Sequence, residues 1–139
     1  MPIWRDEYNF SVPAGKFKLL TGRHAQFTQS GTANNAMLRD LMPENFIWIN
    51  KRIAKERDIA FGDMIEVSSS AGKTTLKAYP TEKIAPDQVF FIHGFGEESQ
   101  ELTWAYKNGG NDNMIIEDHI EPVYGAAAMH ETNVEIRKV

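Results

Sequence analysis

A chain of 139 residues with 42% apolar content is one ordinary domain, long enough to bury about two thirds of its unfolded surface in a single core. It has no cysteine, which excludes disulfides, thiolate metal ligands, iron–sulfur ligation and a cysteine nucleophile from this chain. The formal charge of −4 argues against a general nucleic-acid binder, and no apolar run approaches the roughly 18 residues of a membrane span, so any phosphate must be held locally.

Residues 1–15 mix aromatics with charges, close on Pro13-Ala14-Gly15, and read as an arm or linker without a secretory leader pattern. Its aromatic residues Trp4, Tyr8 and Phe10 are expected to cover the folded body, which occupies residues 16–139. Phe17-Lys18-Leu19-Leu20 suits a strand, and Thr21 to Asn35 then fills with hydroxyls, amides, two glycines and a cation. Gly22 allows close backbone approach, Arg23 offers a donor fork suited to phosphate, and Thr28, Ser30 and Thr32 add neutral hydrogen-bonding groups. Such a strand end suits an anionic, acceptor-rich ligand or a plain polar surface loop.

Ala36 to Met42 predicts a short helix, capped by Asn34 or Asn35, stopped before Pro43 and apolar at Met37, Leu38 and Leu41. Phe46-Ile47-Trp48-Ile49 is of strand type, and Asn50 caps a second short helix through Arg57. Met64 to Ser68 and Thr74 to Tyr79 form a hairpin about Ser70-Ala71-Gly72, followed by a connector from Pro80 to Asp87. Gln88 to Ile92 is a further strand ending in His93-Gly94-Phe95-Gly96, the second strand with a polar, glycine-bearing tip. Glu97 to Asp118 is loop-like, with Asn108 to Asn113 its most flexible part. Ala126 to Met129 suggests a helical turn, and Asn133 to Val139 alternates as a closing strand. The chain is mainly β with short helices used as connectors, which predicts a small mixed β-barrel.

Ala71-Gly72-Lys73-Thr74-Thr75 resembles the end of a phosphate-binding loop, but Val67 stands where that pattern needs glycine and a strand follows the lysine. His93-Gly94-Phe95-Gly96 has no Gly-x-Ser-x-Gly partner to supply a hydrolase nucleophile. Among the four histidines no helical zinc spacing occurs; His24 and His93 stand at strand ends beside glycine, whereas His119 and His130 read as hydrogen-bonding residues. Asn111-Asp112-Asn113 suits a turn or, equally, a purine edge, because a carboxylate matches the N–H pair of guanine.

Thr21-Gly22-Arg23-His24, Thr32 to Asn35, His93 to Gly96, Asn111-Asp112-Asn113 and Gly125 to Thr132, in this order, resemble the C-terminal molybdopterin-dinucleotide-binding domain of the dimethyl-sulfoxide-reductase family. The subgroup most resembled is the catalytic subunit of polysulfide and thiosulfate reductases. The resemblance implies a double-psi β-barrel that binds the bis(molybdopterin guanine dinucleotide) form of the molybdenum cofactor. It implies a piece of a larger periplasmic subunit, with Met1 not the native start. The metal's protein ligand and a 4Fe-4S cluster would lie in its other domains, and iron–sulfur electron-transfer and membrane-anchor subunits would be the parent's partners.

By position, Thr21, Gly22, Arg23 and His24 would line a pterin or diphosphate segment, with Thr28, Ser30 and Thr32 adding donors. His93 and Gly94 would sit near the pterin, and Asn111, Asp112 and Asn113 near a guanine or pterin edge. No catalytic or metal-ligating residue is expected in this chain. A cofactor-free interaction module, or the same domain from a formate- or nitrate-type enzyme, is the alternative these residues leave open.

Overall fold

The computed structural model describes Ile3 and residues 11–139; Trp4, Tyr8 and Phe10 of the arm lie outside the described residues. Residues 11–15 carry a turn, closed by Lys16 N donating to Pro13 O at 3.1 Å, and no strand.

Six strands close into a barrel: β1 (Phe17–Gly22), β2 (Phe46–Asn50), β3 (Met64–Ser68), β4 (Lys73–Thr81), β5 (Gln88–Ile92) and β6 (Asn133–Lys138). Around the wall the order is β1-β5-β2-β4-β3-β6, with β6 pairing back to β1. Two neighbouring pairs, β1 with β5 and β2 with β4, run parallel, and the other four pairings are antiparallel. This is the mixed β-barrel predicted from the elements and the double-psi β-barrel that the resemblance implied. Period-two alternation explains its interior: Phe17 and Leu19, Ile47 and Ile49, Ile65 and Val67, Leu76 and Ala78, Val89 and Phe91, Val134 and Ile136 all point inward and are buried.

The hairpin reading of Ser68 to Thr74 holds, with Ser68 facing Lys73 across the β3–β4 turn. β4 continues to Thr81, so Pro80 and Thr81 are strand residues facing Ile49 and Asn50, not part of a connector. Proline is tolerated there because pairing of β4 with β3 has already ended at Lys77. The expected turn at Ala126 to Met129 is displaced to a 3-10 turn at Met129–Glu131. Ala126 O and Ala128 N are committed to Glu121 and His119, which holds this stretch as a bridge instead.

The first helix, α1 (Ala36–Leu41), is capped by Asn35, whose Oδ1 accepts from Leu38 N at 3.3 Å. Its expected apolar face is buried only in part: Leu38 packs against the cluster of Phe27, Met42, Ile92 and Phe95, but Met37 is 78% and Leu41 68% exposed, while Arg39 is 5% exposed. The rotation is set by Arg39, whose guanidinium lies over Phe95 and Phe27 and donates to Ala33 O at 2.7 Å and Pro43 O at 3.0 Å. Burial lowers its pKa, and no carboxylate compensates it among these contacts. The second helix, α2 (Lys51–Glu56), is capped by Asn50 as expected. Replacing Asn35 by alanine is expected to lower stability by about 1 kcal/mol, the usual worth of an N-cap. Chemical denaturation checks this, and no change would mean the cap is redundant with the Arg39 contacts.

One buried polar residue ties the barrel to the long excursion between β5 and β6. Asn45 is 0% exposed and donates from Nδ2 to Ile92 O at 2.8 Å and Gly110 O at 3.0 Å, while its Oδ1 accepts from Gly110 N at 2.9 Å. A second tether is Asn34, whose Oδ1 accepts from Trp104 N at 2.8 Å and Ala105 N at 3.3 Å. Asn108 to Asn113, the stretch of most turn-like composition, therefore passes across the core-facing end of the barrel with its backbone satisfied by a side chain.

Candidate functional site

Parallel pairing decides where the two polar strand tips go. β1 and β5 run side by side in the same direction, Gly22 faces Ile92, and His93 N donates to Gly22 O at 2.9 Å. Arg23 and His93 therefore emerge on one rim of the barrel. A cavity of about 290 Å³ opens there, lined by Thr21, Gly22, Arg23, Gln29, His93, Asp112, Asn113, Ile116, Met129 and His130. The volume is at the low end of the roughly 300–1,000 Å³ of ligand pockets and suits one fused-ring system with its attached anion.

A chain of hydrogen bonds runs along its wall. His93 Nδ1 and Asp112 Oδ2 are 2.7 Å apart, and the Asp112 side chain is 1% exposed. With the Gln29 amide oriented to satisfy both neighbours, its nitrogen donates to His93 Nε2 at 2.9 Å. Its oxygen accepts from Arg23 Nε at 3.2 Å and from Arg23 Nη2. These bonds suit the His93 tautomer with its proton on Nδ1 toward the carboxylate and its Nε2 lone pair toward the amide. The other carboxylate oxygen, Asp112 Oδ1, is buried without a hydrogen-bond partner. A buried carboxylate oxygen left unpaired is costly, and because Asp112 lines the cavity a ligand's donor would relieve it.

Of the twelve residues proposed from sequence, the cavity brings together Thr21, Gly22, Arg23, His93, Asp112 and Asn113. The other six stand elsewhere. His24 is half-buried behind the rim, with its carbonyl accepting from Phe27 N at 3.1 Å. Thr28 and Ser30 are exposed, and Thr32 Oγ1 accepts from Thr28 N at 2.8 Å, so these hydroxyls shape the loop that carries Gln29. Gly94 is buried at φ +93, where a Cβ would stand 2.8 Å from the Gln29 carbonyl carbon; its bare Cα admits that loop rather than a ligand. Asn111 caps the turn Asp112–Met114 through its Oδ1, 3.0 Å from Asn113 N, and faces a separate polar cleft with Lys73, Thr74 and Lys107. Gly22 lines the site, but the space a Cβ would need is filled by the Phe90 ring, 2.7 Å away.

Sequence reasoning missed Gln29, Ile116, Met129 and His130. Gln29 lay inside the loop already singled out, but its amide gave no more signal than the hydroxyls around it. His130 arrives because the turn Met129–Glu131 packs beside β1, where Lys18 Nζ meets Glu131 Oε2 at 2.7 Å and Thr21 N lies 3.4 Å from His130 Nδ1. Met129 and His130 lie in Gly125 to Thr132, one of the stretches that carried the resemblance, but were given no role at the site.

A neighbouring cleft of about 280 Å³ shares Asn113, Ile116 and Met129 with the first and adds Glu117 and His119. Ser70 Oγ donates to Glu117 Oε1 at 2.5 Å and holds the Glu117 carboxyl below its usual range, with His119 Nε2 at 3.0 Å adding to the effect. A lowered folded-state pKa stabilises the fold above the unfolded value of about 4.3, and this is lost as pH falls through the folded value. Ser70→Ala is therefore expected to lower the melting temperature at pH 7, with the gap to the unsubstituted chain narrowing as pH falls through the folded-state value. A gap independent of pH would show that the hydroxyl acts only through Glu117-independent contacts.

Among the described residues no group of three or more His, Asp or Glu side chains is placed to hold a metal ion, and no helix is long and apolar enough to cross a membrane. The thiosulfate reductase molybdopterin-containing subunit PhsA of Salmonella typhimurium is 29% identical over 119 residues, covering 86% of this chain and 16% of that protein. The probable dimethyl sulfoxide reductase chain YnfF of Escherichia coli is 27% identical over 121 residues, covering 86% of this chain and 15% of that one. The chain thus spans about one sixth of the length of the curated relatives it matches. In structure it is similar to acetylene hydratase from Pelobacter acetylenicus, with a TM-score of 0.75 at 20% identity over 88% of this chain and 18% of that one, a likeness of fold. The family model described as "Molydopterin dinucleotide binding domain" matches residues 17–133, from the first residue of β1 to the first of β6. The chain belongs to the molydopterin dinucleotide binding domain family, as its resemblance to the dimethyl-sulfoxide-reductase family implied.

Proposed function

We propose that this domain holds part of a bis(molybdopterin guanine dinucleotide) cofactor within a larger molybdenum oxidoreductase, and that the rim cavity is where it does so. The observation that carries the reading is the unpartnered, buried Asp112 Oδ1 on the wall of a cavity edged by Arg23. A pterin or guanine edge presents N–H donors to such an oxygen, and the adjoining phosphates are the anions that a guanidinium fork binds. The residues fit one ring system with its phosphate end. They do not fit a whole dinucleotide, so the remainder would lie in the adjoining cleft and against the parent's other domains.

In this reading Asp112 receives the ring's N–H edge and orients it, and it also fixes the His93 tautomer so that Nε2 stays an acceptor. Arg23, exposed at the mouth, meets the negative charge. Thr21 and His130 form the facing wall. The bound group supplies the two-electron redox chemistry, while the protein supplies binding, orientation and electrostatics. The isolated domain is then inactive by itself.

The parent is read as a reductase of polysulfide or thiosulfate, supported by the name of the Salmonella relative. The relative named for dimethyl sulfoxide supports a second reading, in which the parent reduces another oxo acceptor. A 4Fe-4S cluster in the parent's other domains, iron–sulfur and membrane-anchor partner subunits, and a periplasmic location complete the proposal.

Its test is Arg23→Ala in the full-length parent, followed by assay of molybdenum, guanine nucleotide and sulfur-substrate turnover. Loss of a charge-assisted phosphate contact predicts roughly tenfold weaker cofactor retention, with stability changed by less than about 0.5 kcal/mol, because the side chain is exposed. Unchanged molybdenum content would remove Arg23 from the site.

A further inference from the structure

Besides Asp112, the cavity has two groups that seek a ligand, the Arg23 guanidinium and the His93 Nε2 lone pair, and both are engaged by one side chain of the protein itself. We infer that Gln29 is a built-in placeholder: its amide satisfies Arg23 and His93 in the ligand-free domain, and an anionic ligand binds by displacing it. The inference rests on the functional reading above and adds to it a residue that sets how tightly the site binds.

Three observations carry it. The first is chemical. Gln29 offers an acceptor to Arg23 and a donor to His93 at once, at 3.2 Å from Arg23 Nε and 2.9 Å from His93 Nε2. The amide does both while staying neutral, so a phosphate oxygen forms a stronger, charge-assisted bond to the same guanidinium and outcompetes it. A carboxylate of the same length would hold Arg23 with full charge and would have no proton for His93.

The second is conformational. Gln29 stands at φ +55, left-handed backbone that residues with a Cβ seldom adopt, and it is solvent-exposed, so no burial of the side chain accounts for that geometry. What accounts for it is the approach of Gly94, whose bare Cα lets the Gln29 carbonyl and Ser30 N come close, and which aims the amide back across the rim. A side chain held this way at the mouth is free to swing outward without disturbing the core.

The third is the state in which its departure leaves the site. His93 Nδ1 remains tied to Asp112 Oδ2 at 2.7 Å, so Nε2 stays an acceptor after the amide leaves. Displacement therefore frees one acceptor, His93 Nε2, beside a released cation, in a cavity that already holds the unpartnered Asp112 carboxylate oxygen. The incoming group must carry both N–H donors and negative charge. A purine or pterin phosphate has both, whereas a simple anion replaces only half of what Gln29 provides.

The test uses the 139-residue chain with GDP and inorganic pyrophosphate as probes, titrated by calorimetry, while ¹⁵N NMR of the His93 ring follows the Nε2 hydrogen bond. In the wild-type chain GDP is expected to bind more tightly than pyrophosphate and to shift the His93 Nε2 resonance. Gln29→Ala removes the competitor and is expected to tighten both probes about three- to tenfold. Gln29→Glu is expected to weaken them about two- to fivefold, because the carboxylate keeps Arg23. Opposite responses from one position are not what a merely structural residue gives. If Arg23→Ala abolishes binding but Gln29→Ala weakens it or leaves it unchanged, the placeholder is overturned while the site stands. If no variant binds either probe, or Arg23→Ala binds as well as wild type, the functional reading fails and takes the placeholder with it.

Discussion

Asn45→Ala is expected to destabilise the domain by about 3–5 kcal/mol, a large share of the roughly 5–15 kcal/mol that holds such a domain together. The side chain is fully buried and makes three hydrogen bonds to backbone groups of Ile92 and Gly110. Truncation strands all three inside the protein, and each stranded group costs about 1–3 kcal/mol, offset in part if one water enters the space. The effect reaches the site as well, since Gly110 lies two residues before Asp112. Urea unfolding measures the first effect, and GDP binding to the folded fraction measures the second. A loss below about 1 kcal/mol would mean that the excursion does not depend on this anchor.

Asp112→Asn is expected to separate binding from stability. The asparagine can still accept from His93 Nδ1, now through its carbonyl, but it must then turn its NH₂ group to the position of the unpartnered Oδ1. An acceptor on the cavity wall becomes a donor facing a donor. Cofactor affinity in the parent should fall about ten- to hundredfold, the worth of one hydrogen bond to a charged group plus the mismatch. The ligand-free domain should be as stable as before or slightly more so, because a buried carboxylate oxygen without a partner is a liability until the ligand arrives. Molybdenum content and melting temperature, measured on the same preparations, check both halves. A variant that melts early yet keeps its molybdenum would show that the pair is structural.

These two residues were unequally visible in the sequence. Asp112 belongs to an amide-rich run whose chemistry suits a base edge, and the reading named it. Asn45 sits between a proline-bounded turn and an apolar strand with nothing to mark it, because what makes it consequential is Gly110, 65 positions away. α1 carries the same lesson in reverse. Its spacing of Met37, Leu38 and Leu41 predicts a buried apolar stripe, yet with Arg39 seated over two phenylalanines only Leu38 of that stripe packs on the core and Met37 and Leu41 face solvent. Local periodicity reports what a helix can bury, and its neighbours decide what it does bury.

The strands, the hairpin in place of a phosphate loop, both asparagine caps and the two polar strand tips followed from the chain alone. Each depends on residues within a few positions of one another, where backbone propensity and side-chain alternation act directly. Which polar residues share a cavity was decided by pairing. Only the parallel ladder of β1 with β5 puts Arg23 beside His93, and only the closure of β6 onto β1 brings His130 to the same rim. Those contacts span long stretches of chain, and their geometry exists only once the barrel has closed.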